Sequence, residues 1–276
     1  MKKRTIAVSL PFEHSDTYGA LSMPVYNAVA YEFDTAKAMA DAFTGRVIAP
    51  DYSRTANPTV TNFEYHVKAL TGASAVTALN SGMAAISMTM LALASSGKNI
   101  VTSRHMFGNT FDLLHNTLRR FGVEARLVDL TNTDEVDRSI NADTCCLFME
   151  IITNPQMEVA DIKALAEVTH RHGVPLVVDT TVIPFTEFSV HGLGADIELV
   201  SSTKYISGGA TSLGGLIIDY GTVKGFQQRI KGEILFNFGA YMTPHAAYMQ
   251  TLGLETLAAR YAMQSANAMQ LARRMT

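Results

Sequence analysis

Cysteine is nearly absent from this 276-residue chain: the only two, Cys145 and Cys146, stand side by side in an apolar run. Adjacent half-cystines rarely bridge one another, and two sulfurs alone do not make a zinc site. The pair therefore reads as small filler in a buried strand, not as a disulfide framework or a metal knuckle. A block of one charge is also missing. With 22 basic and 25 acidic side chains and a formal net charge of −3, nothing argues for nucleic acid or an acidic membrane as partner. No segment approaches the roughly 20 consecutive apolar residues of a membrane span. The basic start, Met1-Lys2-Lys3-Arg4-Thr5, is not followed by a signal-peptide core, because Pro11, Glu13, His14 and Asp16 interrupt it. A cytoplasmic location is expected. Repeats, low-complexity tracts and obvious linkers are lacking as well.

What is present is a composition of 47% hydrophobic and 17% charged residues, enough to bury the core of one large domain or one and a half. Residues 1 to about 60 hold scattered Pro and Gly without steady periodicity, and read as an extended arm with one helix at about 34–44. Beyond them a rhythm begins. Short apolar runs (Ala75–Leu79, Ile100–Thr102, Ala125–Val128, Cys145–Ile151, Leu176–Asp179, Ile197–Ser201) alternate with helical segments at about 57–70, 82–95, 108–120 and 161–172. Strands spaced by helices predict an α/β fold, a mostly parallel sheet with helices on both faces. Gly215–Tyr220 reads as an added strand, possible as an antiparallel one, and 224–233 and 244–273 as helices.

Ligands of such sheets bind beyond the carboxyl ends of the strands, and the chemistry-bearing residues fall there. Asn80-Ser81-Gly82-Met83 puts small residues at a strand-to-helix junction, where backbone N–H groups and the helix dipole favour a phosphate; helix capping alone would also explain the serine. Asp179 closes an apolar strand, and a carboxylate there needs a partner: a protonated pyridine nitrogen, a helix cap or a salt bridge. Lys204 follows another strand, flanked by Ser201 and Thr203, whose hydroxyls could reach a phosphate, although a surface lysine after a strand is common. A lysine that forms a Schiff base with an aldehyde, an acid for a ring nitrogen and two phosphate-binding elements are what a pyridoxal phosphate enzyme requires.

Further candidates join these. Tyr52-Ser53-Arg54 offers a hydroxyl and a guanidinium two residues apart, able to grip one phosphate, and Asn57-Pro58-Thr59 reads as a helix start. Phe107 can stack on a planar ring or serve as a core aromatic, and Glu150 lies near the end of a strand. Asn154, before Pro155, can bond a cofactor hydroxyl or a substrate carboxylate or simply make a turn. Two rival motifs fail. Ser201-Ser202-Thr203-Lys204 fits the Ser-x-x-Lys of penicillin-recognising enzymes, but its Ser-Asp-Asn and Lys-Thr-Gly companions do not occur. His170 and His172 stand two apart on a predicted helix and so point different ways, which argues against a metal site.

In this order the residues resemble the Cys/Met-metabolism family of pyridoxal phosphate enzymes, of fold type I. The resemblance runs over nearly the whole chain and is carried by Tyr-Ser-Arg-x-x-Asn-Pro-Thr at 52–59, Ser-Gly-Met-Ala-Ala at 81–85, Glu150 to Pro155, and Ser-x-Thr-Lys-Tyr at 201–205. It implies that Lys204 holds the cofactor and shuttles protons, that Asp179 meets the ring nitrogen, and that Gly82, Met83, Ser201 and Thr203 bind the phosphate. It also implies that Tyr52 and Arg54 serve the site of a neighbouring subunit, in a homodimer or homotetramer. The run Thr211-Ser212-Leu213-Gly214-Gly215 is similar to that of the O-acylhomoserine sulfhydrylases, and so points to γ-replacement on O-acetyl- or O-succinylhomoserine by sulfide or a thiol. Methionine γ-lyase and cystathionine γ-synthase or lyase activities are the alternatives. Two residues depart from the pattern: Phe107 stands where most members have a stacking tyrosine, and Gly209 replaces a common histidine.

The expected organisation is an arm (1–60), a cofactor-binding large domain (61–255) and, at 256–276, the start of a helix leading to a small carboxyl-terminal domain that this chain lacks. A fragment that binds cofactor and needs a complementing polypeptide for activity is the reading of a different class.

Overall fold

The computed structural model describes residues 2–12, 16–47 and 49–275. Its centre is a seven-stranded sheet: β1 (Ala75–Leu79), β2 (Asn99–Ser103), β3 (Glu124–Val128), β4 (Thr144–Glu150), β5 (Leu176–Asp179), β6 (Ile197–Val200) and β7 (Gly215–Asp219). The order across the sheet is β1-β7-β6-β5-β4-β2-β3. Only β7 runs against its neighbours, pairing antiparallel with both β1 and β6, so the other six strands end at one edge. The expected strands are all present, and β1 and β5 have the expected bounds.

Both faces are covered, which is why the strands are continuously apolar rather than alternating with polar residues. Along β4, Leu147 and Met149 enter one core while Cys146 and Phe148 enter the other. β7 divides likewise, Leu216 and Ile218 against Ile217. The first core is closed by α1 (Lys3–Ser9), α3 (Pro58–Thr71), α6 (Thr133–Ser139), α7 (Ile162–Arg171) and α10 (Pro244–Met275). The second lies under α4 (Gly82–Leu93), under the helical run that starts as α5 (Gly108–Asp112), widens over Leu113–Thr117 and tightens over Leu118–Phe121, and under α8 (Phe226–Arg229) with its continuation through α9 (Phe236–Phe238).

Local chemistry sets the helix limits. Asn57 caps α3 by accepting from Thr59 N and Val60 N, Pro58 takes the first turn, and Gly72 at φ 74° ends it. The buried side chains of α10 (Ala247, Gln250, Leu254, Leu257, Ala258) recur at helical spacing, whereas the helix beyond Tyr261 is exposed. Among the described residues no helix is long and apolar enough to cross a membrane.

Two expectations need correction. Among its described residues the arm holds two helices ahead of α3, not one: besides α2 (Ala36–Phe43) there is α1, whose Ala7 is buried in the first core and whose Lys3 donates to the Phe185 carbonyl. α6 was not expected at all, because its sequence, TDEVDRS, carries only one buried apolar residue, Val136. The last residue of the expected segment 256–276, Thr276, lies outside the described residues.

Candidate functional site at the carboxyl edge of the sheet

A cavity of about 300 Å³ opens where the parallel strands end. Of the residues singled out from the sequence, Ser81, Gly82, Met83, Phe107, Asn154, Asp179, Ser201, Thr203 and Lys204 line it. They come from the carboxyl ends of five different strands or from the residues that follow them: β1, β2, β4, β5 and β6. Tyr52 and Arg54 are not among the lining residues. Arg54 donates to the Phe236 carbonyl, with its guanidinium 5.0 Å from the Phe236 ring centroid and 5.3 Å from that of Tyr52.

One wall is the amino end of α4. Ser81 caps the helix, its hydroxyl accepting from Ala84 N at 3.1 Å and donating to Asn80 Oδ1 at 3.2 Å. The first N–H groups of the helix, at Gly82 and Met83, have no intrahelical acceptor, so this wall offers donors and the positive end of a 12-residue helix. Backbones meet here at a distance only glycine allows. A Cβ on Gly82 would lie 2.5 Å from Ser201 Cβ, and one on Gly215 would lie 2.0 Å from the Ser81 carbonyl oxygen. The result is a side-chain-free cradle bounded by the Ser201 hydroxyl.

The floor is acidic. Asp179 Oδ1 accepts from Thr181 N at 2.9 Å, and Thr181 Oγ1 accepts from Ser201 N at 2.8 Å, which ties the ends of β5 and β6 together. Asp179 keeps part of its surface open to the cavity, yet the packed strands around it deprive it of water, and burial raises its pKa against the lowering effect of Thr181. No cation pairs with it among the described residues. Lys204 lines the same cavity, and its amine likewise has no hydrogen-bond or ion-pair partner among them. An acid with no cation beside it and a lysine amine with no partner, in one cavity next to a phosphate cradle, suit a ligand with an aldehyde, a basic ring nitrogen and a phosphate. Pyridoxal 5′-phosphate fits that donor set.

Two side chains behave differently from expectation. The Thr203 hydroxyl accepts from Gly214 N at 2.9 Å and gives its one proton to Gly214 O at 3.1 Å, so it fastens the Lys204 turn to the 211–214 loop. To donate to a phosphate it would have to release Gly214.

The larger omission is Glu150, at the end of β4 in register with Asp179. Its Oε1 accepts from Phe107 N at 2.7 Å and its Oε2 from Asn154 N at 3.0 Å, so one carboxylate holds both loops that place the aromatic and the amide in the cavity. The signal in the sequence was an acid ending an apolar run; what it binds is two backbone groups that only the fold brings to it.

Burial pushes the Glu150 carboxyl from the ordinary 4.5 up to about 7, its two N–H donors opposing the shift and the Asp179 charge adding to it. A carboxyl raised in the folded state favours folding while neutral. That stability is fully present below about 4.5 and is lost as pH rises through about 7. The melting temperature of the cofactor-free protein is therefore expected to fall relative to that of Glu150→Gln between those limits and to run parallel to it outside them. Curves parallel at every pH would contradict this.

The two histidines set aside as metal ligands point to different acids, His170 to Asp196 and His172 to Asp137, each at 2.9 Å. Among the described residues no group of three or more His, Cys, Asp and Glu side chains could hold a metal ion.

Comparison with known proteins agrees with this geometry. A family model described as "Cys/Met metabolism PLP-dependent enzyme" matches residues 4–276. The sulfhydrylase FUB7 of Fusarium oxysporum is 32% identical over 91% of this chain and 65% of its own length. The L-methionine γ-lyase of Pseudomonas putida is 33% identical over 97% of this chain and 67% of its own. The chain thus spans about two thirds of the length of these relatives. Among solved structures, one from Campylobacter jejuni, described as an O-acetylhomoserine (thiol)-lyase with N′-pyridoxyl-lysine-5′-monophosphate, superposes with a TM-score of 0.89 at 29% identity. That match covers 94% of this chain and 71% of the other.

Proposed function

The chain belongs to the Cys/Met metabolism family of PLP-dependent enzymes, and we propose that its cavity holds pyridoxal 5′-phosphate for γ-replacement on an O-acylhomoserine by sulfide or a thiol. The observation that carries this reading is the convergence of Lys204, Asp179 and the amino end of α4 on one cavity. When bound, the cofactor supplies a carbonyl that condenses with amines and a ring that withdraws electrons. The protein does the rest.

Asp179 keeps a proton on the ring nitrogen: a cation placed beside it makes its ionised form favourable and offsets the burial that raises its pKa. The N–H groups of Gly82 and Met83 and the Ser201 hydroxyl receive the phosphate. Phe107 would stack on the ring and Asn154 would bond a polar group of the cofactor or substrate, and the backbone N–H groups of both are held by Glu150. Lys204 would hold the cofactor through its amine, and the same amine, the only one lining the cavity, would move the proton of the substrate α-carbon. Loss of the γ-acyloxy group as a carboxylate and addition of sulfide in its place give homocysteine. With a phenyl ring and no hydroxyl at Phe107, that position contributes stacking but no proton to the leaving group.

Tyr52 and Arg54 complete the phosphate site of a second copy in this reading, since their own cavity does not contain them and Tyr52 is 40% exposed. The functional unit is then a homodimer or a pair of such dimers. The choice of γ-replacement over γ-elimination rests on the Thr211–Gly215 run, because the lyase from P. putida is as similar as the sulfhydrylase.

The test is a product assay on the purified chain with pyridoxal phosphate and O-acetylhomoserine, with and without sulfide. Homocysteine formed only with sulfide supports the proposal. 2-Oxobutanoate formed equally with and without sulfide would replace it with a lyase. A visible cofactor band without any product would mean that the chain binds cofactor but needs a further polypeptide for turnover.

A further inference from the structure

The backbone just after Lys204 is held by one side chain of α10. Arg260 Nη1 donates to the Tyr205 carbonyl at 2.8 Å and Nη2 to the Ile206 carbonyl at 3.3 Å, the carbonyls of the two residues that follow the lysine. The same guanidinium is anchored on its own helix, Nη2 to Gly253 O at 2.8 Å and Nε to Thr256 Oγ1 at 3.0 Å. Four bonds from one planar fork are more than a lysine could supply in the same geometry.

Two glycines permit the approach. A Cβ on Gly253 would stand 2.0 Å from the Ile206 carbonyl oxygen, and one on Gly208, at φ 73°, would stand 2.6 Å from the Arg260 Cζ. Burial among these groups lowers the Arg260 pKa, which agrees with a guanidinium committed to backbone carbonyls. The next residue extends the clamp to the other side of the cavity. Tyr261 packs edge-on against Tyr205 with centroids 5.2 Å apart, and its hydroxyl donates at 3.1 Å to the carbonyl of Val182, a cavity residue three positions after Asp179.

We propose that Arg260 is a positioning residue for Lys204: it fixes the carbonyls of Tyr205 and Ile206 so that the amine is delivered into the cavity at the distance set by Asp179 and the α4 cradle. The inference rests on the reading of Lys204 as the cofactor-binding lysine. The turn's own bonds, Ser207 N to Ser202 O at 2.9 Å and Gly208 N to Lys204 O at 3.3 Å, leave the Tyr205 and Ile206 carbonyls to Arg260, and the chain beyond is pliant, with Gly208 and Ala210 both at positive φ.

The test compares wild type with Arg260→Lys and Arg260→Met. One readout needs no cofactor: competitive acetylation of the apo protein across pH, scored by mass spectrometry for the reactivity and titration midpoint of Lys204 alone. The other is the rate at which each apo protein captures pyridoxal phosphate. A lysine whose supporting peptides have drifted by about 1 Å is expected to capture the cofactor roughly tenfold to a hundredfold more slowly, with a shifted Lys204 midpoint, in variants whose far-ultraviolet dichroism is unchanged. Arg260→Lys is the variant to rely on if Arg260→Met does not fold, and free guanidinium should restore part of the capture rate to Arg260→Met if it does. Variants that melt lower but keep the wild-type midpoint and capture rate would assign Arg260 a purely structural role and overturn the proposal. If wild-type protein captures no cofactor at all, the functional reading fails instead, while the acetylation profile still decides whether Arg260 sets the Lys204 environment.

Discussion

Lys204→Ala is expected to remove the visible absorbance of the cofactor-loaded protein and to lower sulfide-dependent turnover of O-acetylhomoserine by at least about 10²–10⁴-fold, the share a positioned acid–base group supplies. The reason lies in the cavity's inventory of bases. Among its lining residues the only amine is Lys204, and the two carboxylates present are both committed, Asp179 to Thr181 N and Glu150 to the N–H groups of Phe107 and Asn154. No neighbouring group can take over the proton transfer. Pyridoxal phosphate should still bind weakly through the α4 cradle, because that wall is backbone and does not depend on the lysine. Retention of turnover in Lys204→Ala, with product formation linear in enzyme, would contradict the assignment. Tm should move little, since the side chain is exposed and its amine has no hydrogen-bond or ion-pair partner among the described residues to lose.

Asp179→Asn is expected to separate function from stability. Asparagine matches the shape of the carboxyl and can accept from Thr181 N, but it brings no charge to a ring nitrogen. Truncating one partner of a buried, hydrogen-bonded charge pair costs about 2–5 kcal/mol, and that loss should appear in turnover and in cofactor affinity. The apo protein should respond in the opposite sense. The Asp179 pKa is raised in the fold, so its neutral form favours folding and its ionisation opposes it. The stability it contributes is fully present below the ordinary pKa of 3.8 and is lost as pH rises through the elevated value. At neutral pH the asparagine variant avoids that loss. Its cofactor-free melting temperature should equal or exceed that of wild type, as expected where a site carries a strained group for the sake of its ligand. An apo variant that melts well below wild type, with cofactor affinity intact, would mean that Asp179 is structural.

Much of this was legible in the sequence for a definite reason. Strands buried on both faces must be apolar throughout, so Leu176–Asp179 and Ala75–Leu79 stood out with their correct bounds, and the residues that follow such strands were bound to share one edge. Caps were equally readable, Asn57-Pro58 and Ser81-Gly82 both starting helices as their chemistry dictates. What stayed hidden depends on contacts distant along the chain. Glu150 gave a visible acid at a strand end, but its partner Phe107 N lies 43 residues away and contributes only a backbone group, which no side-chain pattern reveals. Arg260 sits in an alanine-rich helix where a charged residue reads as solvated surface, and its acceptors are carbonyls 54 and 55 residues earlier. α6 lacked an apolar stripe, and α1 is a seven-residue helix held by its packing on α3 and α10 rather than by its own propensity.

The central claim is that Lys204 is the residue through which this cavity holds pyridoxal phosphate. The most direct measurement is borohydride reduction of the protein with stoichiometric pyridoxal phosphate, followed by proteolysis and mass spectrometry of the peptides. A single pyridoxyl-phosphate addition on the peptide containing Ser201-Ser202-Thr203-Lys204 is the predicted result. Addition at another lysine, or spread thinly over several, would contradict it.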